Sequence, residues 1–195
     1  MHKCAVDLLI SAPQKGWSAS PCCALVMLSA RALERIEQTQ SSSFACDLKK
    51  WLQIMQAYEQ GGHAYHATMP SDALARFNDV MKETQAYGFD KVRDEQQTLG
   101  DRVRALLTGK GFKSVAAAGF QAPGVVVSYT DDADIKNGKK FAHHGLQIAA
   151  GVPLQCDEPA DFQTFRIGLF GLEKLHNIER TISTLEQALD EVMVG

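Results

Sequence analysis

Asp7-Leu8-Leu9-Ile10-Ser11-Ala12-Pro13-Gln14-Lys15-Gly16-Trp17-Ser18-Ala19-Ser20-Pro21 is the stretch on which the reading of this chain turns. Val6 to Ile10 is a short apolar run closed by Ser11-Ala12-Pro13, the pattern of a buried strand that ends in a breaker. Just past it stands a lysine among Gly, Pro and small polar residues, a poor setting for a solvated surface charge. Held in a cleft, such an ammonium is partly desolvated, which lowers its pKa and raises the neutral, nucleophilic fraction. A Schiff-base lysine needs that property. The plainer alternative is an exposed turn lysine.

Working outward, Ala24 to Leu28 is a second apolar run, and Ser29 is placed to cap a helix through about Gln38. Leu48, Trp51, Leu52 and Met55 recur at helical spacing, and Gly61-Gly62 ends that helix. Pro70-Ser71-Asp72 starts another, which stops near Gly88, and a longer one runs from about Asp90 to Thr108. The pattern then changes. Gly124 to Tyr129 is β-branched and reads as a strand, Asp134 to His143 as a short helix weakened by Gly138. Leu146 to Ala149 and Thr164 to Gly168 are further strands. Leu175, Ile178, Ile182, Leu185, Leu189 and Val192 step by three and four into an amphipathic last helix. The organisation predicted is α/β, with residues 1–65 as the end of a larger mixed sheet. Residues 66–195 form a small α+β domain with helices on one face of an antiparallel sheet.

Two other segments carry chemistry. Tyr65-His66-Ala67-Thr68-Met69-Pro70 offers a phenol and a hydroxyl, neutral donors suited to an anion. Read structurally, the same residues are a buried aromatic and a helix entry capped by Thr68 or Ser71. Phe165-Arg166-Ile167-Gly168-Leu169-Phe170-Gly171 sets an arginine inside an apolar strand, where its guanidinium needs an anion. That anion is a substrate carboxylate or an internal acid, for which Asp157, Glu158 and Asp161 are available. His63 and His66 lack a third ligand in sequence, so no metal site is expected.

These segments, in this order and spacing, resemble the class V pyridoxal-phosphate-dependent aminotransferases of the alanine–glyoxylate and serine–pyruvate type, from the cofactor lysine onward. The resemblance runs over nearly the whole chain and implies fold type I. It implies that Lys15 holds pyridoxal 5'-phosphate as a Schiff base and shuttles the substrate Cα proton, and that Gln14 donates to the cofactor phosphate. It implies that Tyr65 and Thr68 reach the phosphate of a neighbouring subunit in a homodimer, and that Arg166 binds the substrate α-carboxylate. Trp17 is expected to shape the substrate pocket. The implied reaction is transamination between alanine or serine and glyoxylate or pyruvate.

In relatives of this type, about twice as long, the partner of the pyridine nitrogen lies ahead of the lysine; here fourteen residues precede it. The expectation is therefore that this chain is the C-terminal part of the enzyme, weakly active or inactive by itself. Two other readings stay open. One is a cysteine desulfurase or lyase relative, for which Cys156 is the candidate thiol and against which Gln14, where those proteins carry His, speaks. The other is a non-catalytic dimerisation module.

Composition narrows the classes further. A net charge of −3 with scattered Lys and Arg gives no basic face for nucleic acid. The five cysteines fit neither a disulfide framework nor a zinc spacing. No apolar run approaches the roughly 18 residues of a membrane span, and Asp7 interrupts what a signal peptide would need. A cytoplasmic protein is expected.

Overall fold

The computed structural model describes residues 1–194. The run after Asp7 forms strand β1 (Leu8–Ser11), paired antiparallel with β2 (Leu25–Leu28) so that Leu8 faces Leu28 and Ser11 faces Leu25. Ser29 caps α1 (Ala30–Glu37) by accepting from the Ala32 amide, and Asp47 caps α2 (Leu48–Glu59) by accepting from Lys50. These side chains satisfy amides that the first helical turn leaves unpaired. Two long helices follow, α3 (Ser71–Tyr87) and α4 (Phe89–Gly109). The chain divides into two compact units, Met1–Val80 and Met81–Gly195.

The first unit corrects one expectation. β1 is a strand, but it is not buried: Leu8, Leu9 and Ile10 are 40%, 46% and 65% exposed. A ribbon of two strands has no second layer of its own to cover its faces. Buried apolar side chains in this unit include Pro13, Ile54, Phe77 and Val80.

The second unit holds the extensive core. β3 (Val125–Tyr129), β4 (Ala149–Ala150) and β5 (Thr164–Gly168) form an antiparallel sheet in the order β3-β5-β4. Strand alternation puts Val126, Phe165 and Ile167 on its covered face. Leu99, Val103 and Leu107 of α4, Phe141, and Leu185, Leu189 and Val192 of the last helix complete one buried cluster. Phe165 sits at its centre, in edge contact with Phe112 and tilted against Phe141.

Three predicted elements differ here. Residues 134–143 form two short helices, α5 (Ala133–Lys136) and α6 (Lys139–His143), broken where Gly138 takes φ 80°. The strand expected from Leu146 to Ala149 shrinks to β4, because only Ala149 and Ala150 find partners on β5. The last helix is interrupted as well: α7 (Leu172–Leu175) stops at His176, and α8 (Ile178–Val194) carries the amphipathic pattern.

Candidate functional site

Lys15 stands in a turn spanning 13–17 that leaves β1. The turn is tied back on itself: Ser18 N–H donates to the Lys15 carbonyl at 2.8 Å and Ala19 N–H to the Pro13 carbonyl at 2.9 Å. Pro13 is buried beneath it, whereas Gln14, Lys15 and Gly16 are exposed. Trp17 turns inward and meets Phe77 of α3 edge-to-face, with ring centroids 5.8 Å apart. Gln14, Lys15 and Trp17 therefore share one turn, the first two facing solvent and the third packed against a helix. Within this chain Lys15 is not in the sheltered cleft expected of it, because the ribbon that carries it lacks a covering layer.

The opposite end of the β1–β2 ribbon is held by a contact the sequence reading missed. Asp7 accepts from the Ser29 hydroxyl at 2.8 Å and pairs with Arg31, and its carbonyl takes the Ser29 amide at 2.9 Å. The Arg31 guanidinium, and after it the Ser29 hydroxyl, hold the Asp7 carboxyl below the usual carboxylate range. The start of β1 is thus fixed to the N-terminus of α1. An Asp ahead of a strand and a Ser cap after the next one were both visible, but nothing local paired them.

Tyr65 and Thr68 are brought together. Their hydroxyls lie 3.0 Å apart and both residues are exposed, Tyr65 to 77%. That exposure corrects the reading of Tyr65 as a buried aromatic. Between them His66 faces inward, its Nε2 3.0 Å from the Phe44 carbonyl and its ring against Phe44 and Trp51. His66 is occupied as a packing residue. Among the described residues no group of three His, Cys, Asp or Glu is placed to hold a metal ion.

Arg166 lies in the second unit, on the sheet face opposite Phe165 and Ile167, across from Val127 of β3 and Ala149 of β4. It is half-buried, and its Nε donates to the Ala150 carbonyl at 2.9 Å. The internal acids weighed as partners do not reach it: among the described residues Arg166 forms no ion pair. Glu158 instead accepts from the amides of Cys156, Gln155 and Leu154 at 2.8, 2.9 and 2.5 Å. Those amides, with Cys156 first and Gln155 next, lower its pKa to about 2. Gln155 and Asp157 adopt positive φ to converge them. Cys156, the candidate thiol of the desulfurase reading, is an exposed member of this loop.

Comparison with known proteins gives these placements a frame. No family model matches the chain. A 2-aminoethylphosphonate–pyruvate transaminase of Burkholderia ambifaria is 26% identical, the match covering 97% of this chain and 49% of that protein. Alanine–glyoxylate aminotransferase 1 of Saccharomyces cerevisiae is 28% identical over 75% of this chain and 40% of its own. The solved structure of an alanine–glyoxylate aminotransferase from Nostoc sp. superposes with a TM-score of 0.80 at 18% identity, over 98% of this chain and 49% of that one. The chain has the fold of the fold-type-I aminotransferases and is similar to class V aminotransferases along nearly its whole length. It matches their C-terminal half and spans about half the length of the curated relatives.

Members of this family use pyridoxal phosphate, and the groups present suit that molecule. An exposed primary amine on a hydrogen-bonded turn is accessible to an aldehyde. The adjacent Gln14 amide and the Tyr65–Thr68 hydroxyl pair are neutral donors of the kind a phosphate accepts. Among the described residues no helix is long and apolar enough to cross a membrane.

Proposed function

We propose that this chain is the lysine-bearing, substrate-recognising part of an aminotransferase that moves an amino group between alanine or serine and glyoxylate or pyruvate. One observation carries the reading: the residues expected of the family at positions 14, 15, 65, 68 and 166 lie within a match that covers 97% of the chain. Lys15 would hold pyridoxal 5'-phosphate through its ε-amine, Gln14 would donate to the phosphate, and Trp17 would border the substrate. When bound, the cofactor supplies an electron sink for the pair left at the substrate Cα. The chain's own part is to deliver and remove protons: Lys15 Nζ takes the Cα proton and later returns one. Arg166 orients the substrate by pairing its planar fork with the α-carboxylate.

Tyr65 and Thr68 complete the reading as groups supplied to a second subunit of a homodimer in the cytoplasm. Their exposed hydroxyls, in the segment between α2 and α3, suit a phosphate held by a neighbour.

The test follows pyruvate production from alanine and glyoxylate with added pyridoxal phosphate. A parallel arm supplies 2-aminoethylphosphonate and pyruvate and follows alanine, because the Burkholderia relative is named for that donor. Turnover lost in Lys15→Ala supports the proposal, and the arm that responds identifies the donor. Measurable product formed equally by wild type and Lys15→Ala would exclude it. Sulfide released from cysteine would favour the desulfurase reading, and no thermal stabilisation by the cofactor the non-catalytic one.

A further inference from the structure

We propose that Gly151 is the positioning residue for Arg166, setting which edge of its guanidinium is offered to a carboxylate. The inference rests on the reading of Arg166 as the carboxylate binder.

Gly151 follows directly on β4. A Cβ built on it would stand 1.8 Å from the Thr164 carbonyl oxygen, 2.4 Å from the carbonyl carbon and 2.4 Å from Thr164 Oγ1. These are separations no side chain tolerates, and two of the three atoms are backbone, which cannot rotate away. The requirement for glycine is one of space, since the residue is not among those with positive φ. Any other amino acid must push the chain at 151 off β5.

That displacement bears on Arg166 through the residue before. Ala149 pairs with Arg166 and Ala150 with Phe165. The close approach at 151 brings the Ala150 carbonyl to 2.9 Å from Arg166 Nε. A guanidinium grips a carboxylate in one of two ways, through Nε and one Nη side-on, or through both Nη atoms end-on. With Nε given to Ala150, the end-on pair remains. The backbone of a two-residue strand thus selects the orientation in which a substrate carboxylate is received, and Gly151 permits it.

The consequence is read from the Arg166 Nε–H signal by nitrogen-resolved NMR, assigned with Arg166→Ala. In wild type this proton exchanges at least about tenfold more slowly than that of free arginine, as expected of one buried in a hydrogen bond. In Gly151→Ala the protection is lost while the amide signals of Val126 and Ile167 stay in place. Pyruvate, titrated as the carboxylate probe, binds about tenfold more weakly to Gly151→Ala, the loss of about one net hydrogen bond. Adding Gly151→Ala to Arg166→Ala weakens binding no further.

Protection unchanged in Gly151→Ala overturns the proposal. Should that variant fail to fold, the wild-type rate decides alone: exchange as fast as free arginine overturns it. If protection behaves as stated but Arg166→Ala binds pyruvate like wild type, the positioning stands and the carboxylate role of Arg166 fails.

Discussion

The antiparallel sheet of the second unit and the β1–β2 ribbon of the first are built from similar residues, apolar and extended, yet they end in opposite environments. Phe165 is fully buried, while Ile10 is 65% exposed. The difference lies in what covers them. α4 and α8 present Leu99, Val103, Leu107, Leu185, Leu189 and Val192 to one face of the sheet, and burial of that face stabilises the pairing. The ribbon has four-residue strands, two open edges and, among the described residues, no such layer. Pairing alone does not make a strand interior. The two key groups inherit this contrast, for Arg166 stands on the supported sheet and Lys15 on the turn between the unsupported strands.

The sharpest way to break the comparison is to truncate the same kind of side chain in each unit. Phe165→Ala should destabilise the second unit by about 3–5 kcal/mol in denaturant unfolding, the cost of a large core cavity. Ile10→Ala should change stability by less than about 0.5 kcal/mol, as for an exposed position. Comparable losses at both sites would show that Ile10 is covered in solution.

Gly138→Ala comes next. It forces a side chain into φ 80° with its Cβ 3.2 Å from Ile148, and should cost about 1 kcal/mol or more in the same measurement. A neutral result would mean that the break between α5 and α6 is not imposed by this residue.

Within the first unit, Ser29→Ala removes both the α1 cap and a hydrogen bond to Asp7. A loss of about 1 kcal/mol is expected, seen as faster amide exchange through Ala32 and Leu28. Exchange unchanged at Leu28 would separate the cap from the ribbon.

The smallest effect is a local one with pH. The Glu158 carboxyl is held at about 2, below its ordinary 4.5. A lowered folded-state pKa means that the loop is fully favoured above 4.5 and loses its hold as pH falls towards 2. The amide shifts of Leu154, Gln155 and Cys156 should therefore move together in that window and stay flat above pH 5. Movement near pH 4.5 alone would mean that the three amides do not grip the carboxylate in solution.

How much of this was legible in the sequence follows from what each feature depends on. α1 could be read from its capping residue Ser29, α2 from the spacing of Leu48, Trp51, Leu52 and Met55, and α8 from its apolar stripe, because those signals are local. The exposure of β1 was not legible: Leu-Leu-Ile reads the same whether or not a layer lies above it. Residues 14, 15, 65, 68 and 166 were picked out through the resemblance to the class V aminotransferases, since each segment read alone also fits a plain structural role. The partner of Arg166 was not legible, because sequence offered three acids and the structure uses a backbone carbonyl. Glu158 turned to the loop amides for a reason no periodicity records, the left-handed backbone at Gln155 and Asp157. Nothing local marks the space requirement at Gly151; its crowding against Thr164 exists only once β4 and β5 are paired.

The central claim is tested most directly by chemical trapping. The folded chain is incubated with pyridoxal phosphate, reduced with borohydride, digested and searched for the added mass. The account predicts label concentrated on the peptide containing Lys15 and absent from it in Lys15→Arg, with Lys49, Lys139 and the other surface amines labelled far less. Label spread evenly over those amines, or none at Lys15 in a folded sample, would contradict it.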